Sequence, residues 1–369
     1  MKFSTLIRLA AVTCVAVAMT ACGAQQGGAP TAAGSTFQDG PDARHSGRLR
    51  MLAKSTRIGL VPQMHHKNGK SWIRPDAGRQ YLLYASDLSK GTIDIYNYRV
   101  QAGKLYGQIT GLDEPYGQCI DKARDVYVVD EGTSTIYEFA HGGITPIATA
   151  VDDFGLPNGC SVDPTTGNVA VSNFSGVSSG SGGIDIFAGG LSGAQEYYTD
   201  GSAAFMWPPG YDVSGNLFVE GQNLSGANVL LELPSGTNQF NVISGVSIGF
   251  PGGVQRWKTY MAVTDQSYQG GDTTAIYTIS LAGSAATIVH TTELTDDCYP
   301  SKSNFDAVQP FLNGTTPKKN AVVAGNLSCS NRMDFFNFTN GGNPKRALPS
   351  DIAPFDAWGQ SVSPPTGKP

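Results

Sequence analysis

With 369 residues, the chain is long enough for one large β domain or two ordinary ones. Charged residues make up only 15%, and the 46 glycines follow no Gly-X-Y period, which excludes a collagen-like chain and points to many short strands joined by tight turns. The net charge of -5 argues against nucleic-acid binding, which needs a concentrated basic face.

Lys2 and Arg8 precede an apolar run over residues 9–19, followed by Met19-Thr20-Ala21-Cys22-Gly23. A charged start, a short apolar stretch and small residues before a cut site predict an export signal over 1–21. The run is too short for the ~20 apolar residues of a spanning helix. Thr-Ala-Cys resembles the bacterial lipobox, which implies acylation of Cys22 and a membrane partner, either the cell membrane or an outer membrane. Residues 22–43 hold almost nothing to bury and read as a flexible tether. Residues 44–79 are basic: Arg44, Arg48, Arg50, Lys54, Arg57, Lys67, Lys70, Arg74 and Arg79 face only Asp76. They read as a solvated lead-in with a short helix near 46–56, or as a contact for anionic lipid.

A repeat begins near residue 80. Glu114-Pro115-Tyr116-Gly117-Gln118-Cys119-Ile120-Asp121 returns as Leu156-Pro157-Asn158-Gly159-Cys160-Ser161-Val162-Asp163, with the prolines 42 residues apart. A period of about 40–45 residues is typical of a four-stranded propeller blade. Leu83-Tyr84-Ala85-Ser86-Asp87 and Thr92-Ile93-Asp94-Ile95-Tyr96 match the strands around Val128 and Ile136, 43 residues on. The first repeat lacks a first strand, and Trp358-Gly359-Gln360-Ser361-Val362 supplies an orphan one at the other end of the chain. Pairing these two stretches closes a ring and leaves no open ends to cap. The second blade starts at 114, the third at Pro157, the fourth near Asp212-Val213-Ser214-Gly215-Asn216, and the fifth at Pro251. The sixth is the most worn, with strands expected over 305–311, 321–324, 333–338 and 346–352. The expected fold is therefore all-β: a six-bladed β-propeller over 80–364, followed by a tail over 365–369.

Pro-x-Gly, an apolar-x-Asp, a turn ending in Gly-Asn and a Leu/Val-aromatic-Val run together resemble the NHL-repeat and gluconolactonase-like six-bladed propellers. This resemblance implies the fold over most of the chain and says little about function, because the ring hosts lactonases, lyases and plain binding proteins alike.

Apart from Cys14 and Cys22, four cysteines remain: Cys119, Cys160, Cys298 and Cys329. In an exported protein an even number favours disulfides. Cys160 aligns with Gln118, so Cys119 and Cys160 point to opposite blade faces, the parity that a bridge between adjacent blades requires. Cys298 and Cys329 are then left for each other.

No catalytic motif stands out. Gly176-Val177-Ser178-Ser179-Gly180 fits Gly-x-Ser-x-Gly but lies in a Ser/Gly loop without the strand-to-helix turn that exposes a nucleophile. None of His45, His65, His66, His141 and His290 falls in an innermost strand. The lactonase relatives hold a divalent ion on the axis with oxygen ligands. Glu114, Gln118, Asn158, Asp212 and Gln255 are the candidates for that role, yet they do not reproduce the family's acidic-residue, Asn, Asn, Asp set. No cofactor is expected, except calcium or another divalent ion on that alternative. One constellation remains. Tyr116 with Gln118, Phe154 with Asn158, Trp207, Phe305 with Asp306, and Trp358 with Gln360 lead into the first strands, which converge on one face. These residues either bind an unknown protein or carbohydrate there or pack between blades as core. The expected function is a membrane-anchored, non-catalytic binding propeller; the alternative is a metal-dependent lactonase or hydrolase.

Overall fold

In the computed structural model, the described residues are 69–99, 104–176, 181–270, 273–295, 310–313, 321–325, 332–354 and 356–365. They form six antiparallel sheets arranged as the blades of a propeller. Blade two is the plainest, running outward from Pro115–Ile120 through Val126–Asp130 and Thr135–Phe139 to Pro146–Val151. Blade three comprises Gly155–Val162, Val169–Gly176, Gly183–Phe187 and Gln195–Tyr198. Blade five comprises Pro251–Trp257, Tyr260–Asp265, Thr274–Ala282 and Ala285–Leu294. β-Branched and aromatic residues fill these strands because both blade faces are buried and such side chains suit a pleated, packed surface.

The ring closes as the repeat predicts. Gln360–Ser363 pairs antiparallel with Leu82–Asp87, placing Leu82 opposite Ser363 and Ala85 opposite Gln360. Thr92–Asn97 and Leu105–Ile109 continue this first blade. A two-residue strand, Trp72–Ile73, then adds to its outer edge opposite Gly107 and Gln108. The lead-in thus covers an edge that would otherwise expose unpaired backbone.

Prolines account for two local departures from regular blades. In blade four the first strand is split into Phe205–Met206 and Gly210–Tyr211 around Trp207-Pro208-Pro209, since proline has no N–H to give a ladder. Its other strands are Leu217–Gln222, Asn228–Leu233 and Asn241–Ile243. In blade six the last strand is only Arg346–Ala347, and Pro349 turns the chain by accepting from Ile352 and Ala353 N–H. The rest of that blade comprises Phe311–Asn313, Ala321–Gly325 and Met333–Asn337.

The core lies in the seams between blades. Leu83, Ala85 and Tyr96 of blade one meet Val323, Met333 and Phe335 of blade six. Tyr127, Val129 and Ile136 of blade two meet Val171, Phe187 and Cys160 of blade three. Each such side chain, once fully buried, contributes about 1.5–3 kcal/mol. Near the axis the strands come too close for side chains. A Cβ on Gly159 would lie 2.5 Å from the Pro208 ring, and one on Gly210 would lie 2.5 Å from the Val254 carbonyl.

The repeated acid at the end of the second strand has a structural task. Asp130 accepts from the N–H groups of Asp113 and Glu114, and Asp265 accepts from those of Gly249 and Phe250. In each case one carboxylate fixes the segment that leads into its blade's innermost strand.

Candidate functional site

Most of the described aromatic candidates lie together near the starts of the first strands. Tyr116, Phe174, Trp207 and Trp358 form one apolar cluster with Leu88. The Tyr116 and Trp358 ring centres are 5.0 Å apart, and Phe174 and Phe250 each meet Trp207 edge-on at 5.3 and 5.7 Å. The Trp358 indole N–H donates to Asp356 at 3.1 Å. These rings are buried: Trp358 is 7% exposed and Trp207 3%. They pack as core between the blades, and the half-buried Leu156, Phe205 and Phe250 pack against them. Phe154 stands apart from the cluster, stacked on Tyr197 with ring centres 4.7 Å apart.

The polar candidates beside these rings bond to the backbones of neighbouring blades. Gln118 donates to the Gly359 carbonyl at 3.2 Å and accepts from the Ser361 hydroxyl at 3.0 Å. Gln360, in the aligned position of blade one, accepts from Gly325 N–H of blade six. Asn158 donates to the Met206 carbonyl of blade four at 2.7 Å. Glu220, which sequence reasoning missed, accepts from Gly252 and Thr264 N–H of blade five, both at 3.1 Å. Burial drives the Glu220 carboxyl well above its ordinary pKa, with the charge of Asp265 adding to the rise and the two N–H donors opposing it.

The third aligned position is Cys160, which reaches back to blade two through a disulfide with Cys119, Cα to Cα 5.5 Å. Such a bond argues for a domain that folds outside the reducing cytoplasm. The proposed Cys298–Cys329 pair, Phe305, Asp306, the lipidation site Cys22 and the 46–56 helix all lie outside the described residues. So does the Val177-Ser178-Ser179-Gly180 portion of the Gly-x-Ser-x-Gly sequence.

Of the other residues weighed for chemistry, Asp212 holds a turn at the far end of its strand, accepting from Ser214 and Asn216 N–H. His141 sits where the ring closes: its Nδ1 lies 2.7 Å from Ser363 Oγ, and its Nε2 is 3.1 Å from the Gln80 carbonyl. Burial lowers its pKa, and the charge of Arg124 lowers it further. His290 reaches the Thr339 carbonyl of the next blade.

Two acidic groups escaped the sequence reading. Asp121, Asp125 and Glu138 of blade two bring carboxylate oxygens within 4.8 Å of one another. Burial raises the pKa of Asp125 and Glu138, and neighbouring acids raise it further. The second group, Asp152 and Asp185 with Asn173, lies between blades two and three. Burial, with the charge of Asp152, pushes the Asp185 carboxyl up to about 8, against the pull of the Gln195 amide. An acid between two isoleucines was the available signal, and it occurs twice, at Asp94 and Asp185.

No protein-family model matches this sequence, and no curated protein does. Solved structures do match in fold. A chain of a nidogen/laminin complex is 14% identical and superposes with a TM-score of 0.55 over 77% of this chain and 98% of its own. A protein of unknown function from Bacteroides caccae is 12% identical, with a TM-score of 0.54 over 77% of this chain and 99% of its own. A functionally unknown protein from Desulfotomaculum acetoxidans DSM 771 is 10% identical, with a TM-score of 0.51 over 77% and 99%. At these identities the likeness establishes the six-bladed propeller and leaves function to be argued from the site itself.

Proposed function

We propose that this chain is an extracytoplasmic binding propeller, tethered through Cys22, that holds a partner protein at the face floored by Tyr116, Trp207 and Trp358. The carrying observation is the aromatic cluster. It joins buried residues of blades one to four into one floor and leaves Leu156, Phe205 and Phe250 of blades three, four and five partly open at its rim. A rigid apolar floor with a polar surround is the usual anatomy of a protein-binding patch. Gln118, Asn158 and Gln360 belong to this face in our reading, as do Phe305 and Asp306 from the sequence, with the two glutamines and Asn158 holding the blades in register beneath the partner. Binding is favoured over metal-assisted hydrolysis because Gln118, Asn158, Glu220 and Gln360 already use their polar atoms on neighbouring backbones. A likeness to a chain taken from a nidogen/laminin complex supports a protein as the partner. A carbohydrate is the other ligand class this face suits.

The rim gives the cleanest test, because truncating the buried Trp207 would disturb packing as much as binding. Full-length protein and a Phe205→Ser/Phe250→Ser variant would each be cross-linked to envelope extract and probed on a glycan array. We expect the double variant to keep its melting temperature within about 3 °C and to lose the specifically captured partner. Equal capture by both proteins would overturn the assignment of this face, and glycan binding lost with the rim would move the partner to the carbohydrate class.

A further inference from the structure

We propose that the upper end of the seam between blades two and three is a cation site, with Asp185 as its principal ligand and calcium as the ion its chemistry suits. Three elements build it. Asp152 comes from the link between the blades. Asn173 lies near the end of the second strand of blade three. Asp185 lies on the third strand, diagonally across, since Asn173 pairs with Gly183 and Val171 with Asp185. Asn173 donates its amide N–H to Asp152 Oδ2 at 2.8 Å, so the group is joined side chain to side chain.

Burial and oxygen count distinguish this group from a solvated acidic patch. Asp152, Asn173 and Asp185 are at most 2% exposed. Gln195 donates to Asp185 Oδ2, but Asp185 Oδ1 has no hydrogen-bond partner, and neither does Asn173 Oδ1 nor the buried hydroxyl of Ser175 two residues on. Leaving a buried acceptor unmet costs about 1–3 kcal/mol each, more when it is charged. Among the described residues neither aspartate forms an ion pair, and the charges bearing on Asp185 are those of Asp152 and Asp153. Two acceptors also converge over Gly155: a Cβ there would lie 2.5 Å from Asn173 Oδ1 and 2.6 Å from the Ser175 carbonyl. The Tyr197 ring lies against Gly183 and carries Phe154 stacked on it, roofing the group on its outer side.

What the seam lacks is positive charge, and every unmet atom is an oxygen. Carboxylate, amide, carbonyl and hydroxyl oxygens in an irregular set are what calcium accepts, at 2.3–2.6 Å with six to eight ligands. Magnesium demands a near-ideal octahedron and keeps its waters, which a roofed seam does not favour. The site lies away from the ring axis, so it is not the ion of the lactonase alternative. Its role is to lock blade three to blade two above their disulfide.

The test is thermal unfolding of the full chain after EDTA treatment, titrated with calcium chloride and in parallel with magnesium chloride. We expect calcium to raise the melting temperature by roughly 5 °C at a hundredfold excess over Kd, with magnesium well below it. Asp185→Asn keeps the shape and should abolish the shift. Asp121→Asn, in the other acidic group, should keep it. Calorimetric titration of the same proteins gives the stoichiometry, which should fall by one in Asp185→Asn even if that variant melts earlier. No calcium shift, an equal shift in Asp185→Asn, or a shift lost in Asp121→Asn would each overturn the assignment. In the first case Asp185 simply holds a proton.

Discussion

Glu220 and Asp185 are both carboxylates shut inside blade seams, yet the protein treats them differently. Glu220 lies between blades four and five, and each of its oxygens meets a backbone N–H of blade five. Asp185 lies between blades two and three, with one oxygen on Gln195 and the other unmet. A buried charge is costly unless paired and hydrogen-bonded. Glu220 has a backbone donor for each oxygen and reads as a strut, whereas Asp185 leaves one oxygen unmet and reads as a receptor for something positive. Whether a buried acid is structural or a ligand thus depends on how many donors its own fold supplies, and not on how deeply it sits.

The comparison breaks most sharply at Glu220. Glu220→Ala strands two backbone N–H groups and opens a cavity, so urea denaturation should show a loss of about 4 kcal/mol or more. Asp185→Asn, measured without calcium, should change stability by no more than about 1 kcal/mol, since the amide keeps the shape and its oxygen still accepts from Gln195. Equal losses in the two variants would erase the distinction. Next in size is the disulfide between blades two and three. A Cys119→Ser/Cys160→Ser variant should lose about 2–4 kcal/mol on the same assay, as expected for a bond spanning 41 residues. The smallest effect belongs to the ring closure. His141 has a folded-state pKa below its ordinary 6.5, so the unfolded chain binds the extra proton more readily. Its stabilising contribution is complete above pH 6.5 and is lost as the pH falls through the lowered folded value. The stability difference between wild type and His141→Gln should therefore shrink on acidification below 6.5; a difference independent of pH would show that the imidazole is inert.

The ring was legible because its signals are periodic. The proline spacing, the orphan Gln360 strand and the parity of Cys119 and Cys160 each repeat or complete a pattern, and each has its counterpart in the structure. One aligned position made the blades comparable: Gln118, Cys160 and Gln360 all reach back to the preceding blade, two by hydrogen bonds and one by a covalent bond. What escaped was pairing between residues that share no repeat. Nothing in Gln118 or Asn158 as letters says that a neighbouring carbonyl lies within reach, so their polarity read equally well as ligand chemistry. Glu220 carries no signal of its own, because its partners Gly252 and Thr264 donate through backbone N–H groups common to almost every residue. Phe154 was grouped with the other aromatics by its place before a first strand. Its separation from them follows from Tyr197, on the fourth and outermost strand of the same blade, which offers a parallel ring.

The joining of Leu82–Asp87 to Gln360–Ser363 bears on how the protein is made. Ser86 and Gly359 exchange hydrogen bonds across 273 positions of sequence. In a chain delivered from its N-terminal end, Leu82–Asp87 arrives long before Gln360–Ser363, so blade one waits for its innermost strand while its neighbours can already pair. During that interval the flank of Leu82–Asp87 is an unguarded template for any passing extended segment. Chaperoning of the folding chain is most needed there, and slow refolding of the isolated domain would be governed by this one long-range encounter.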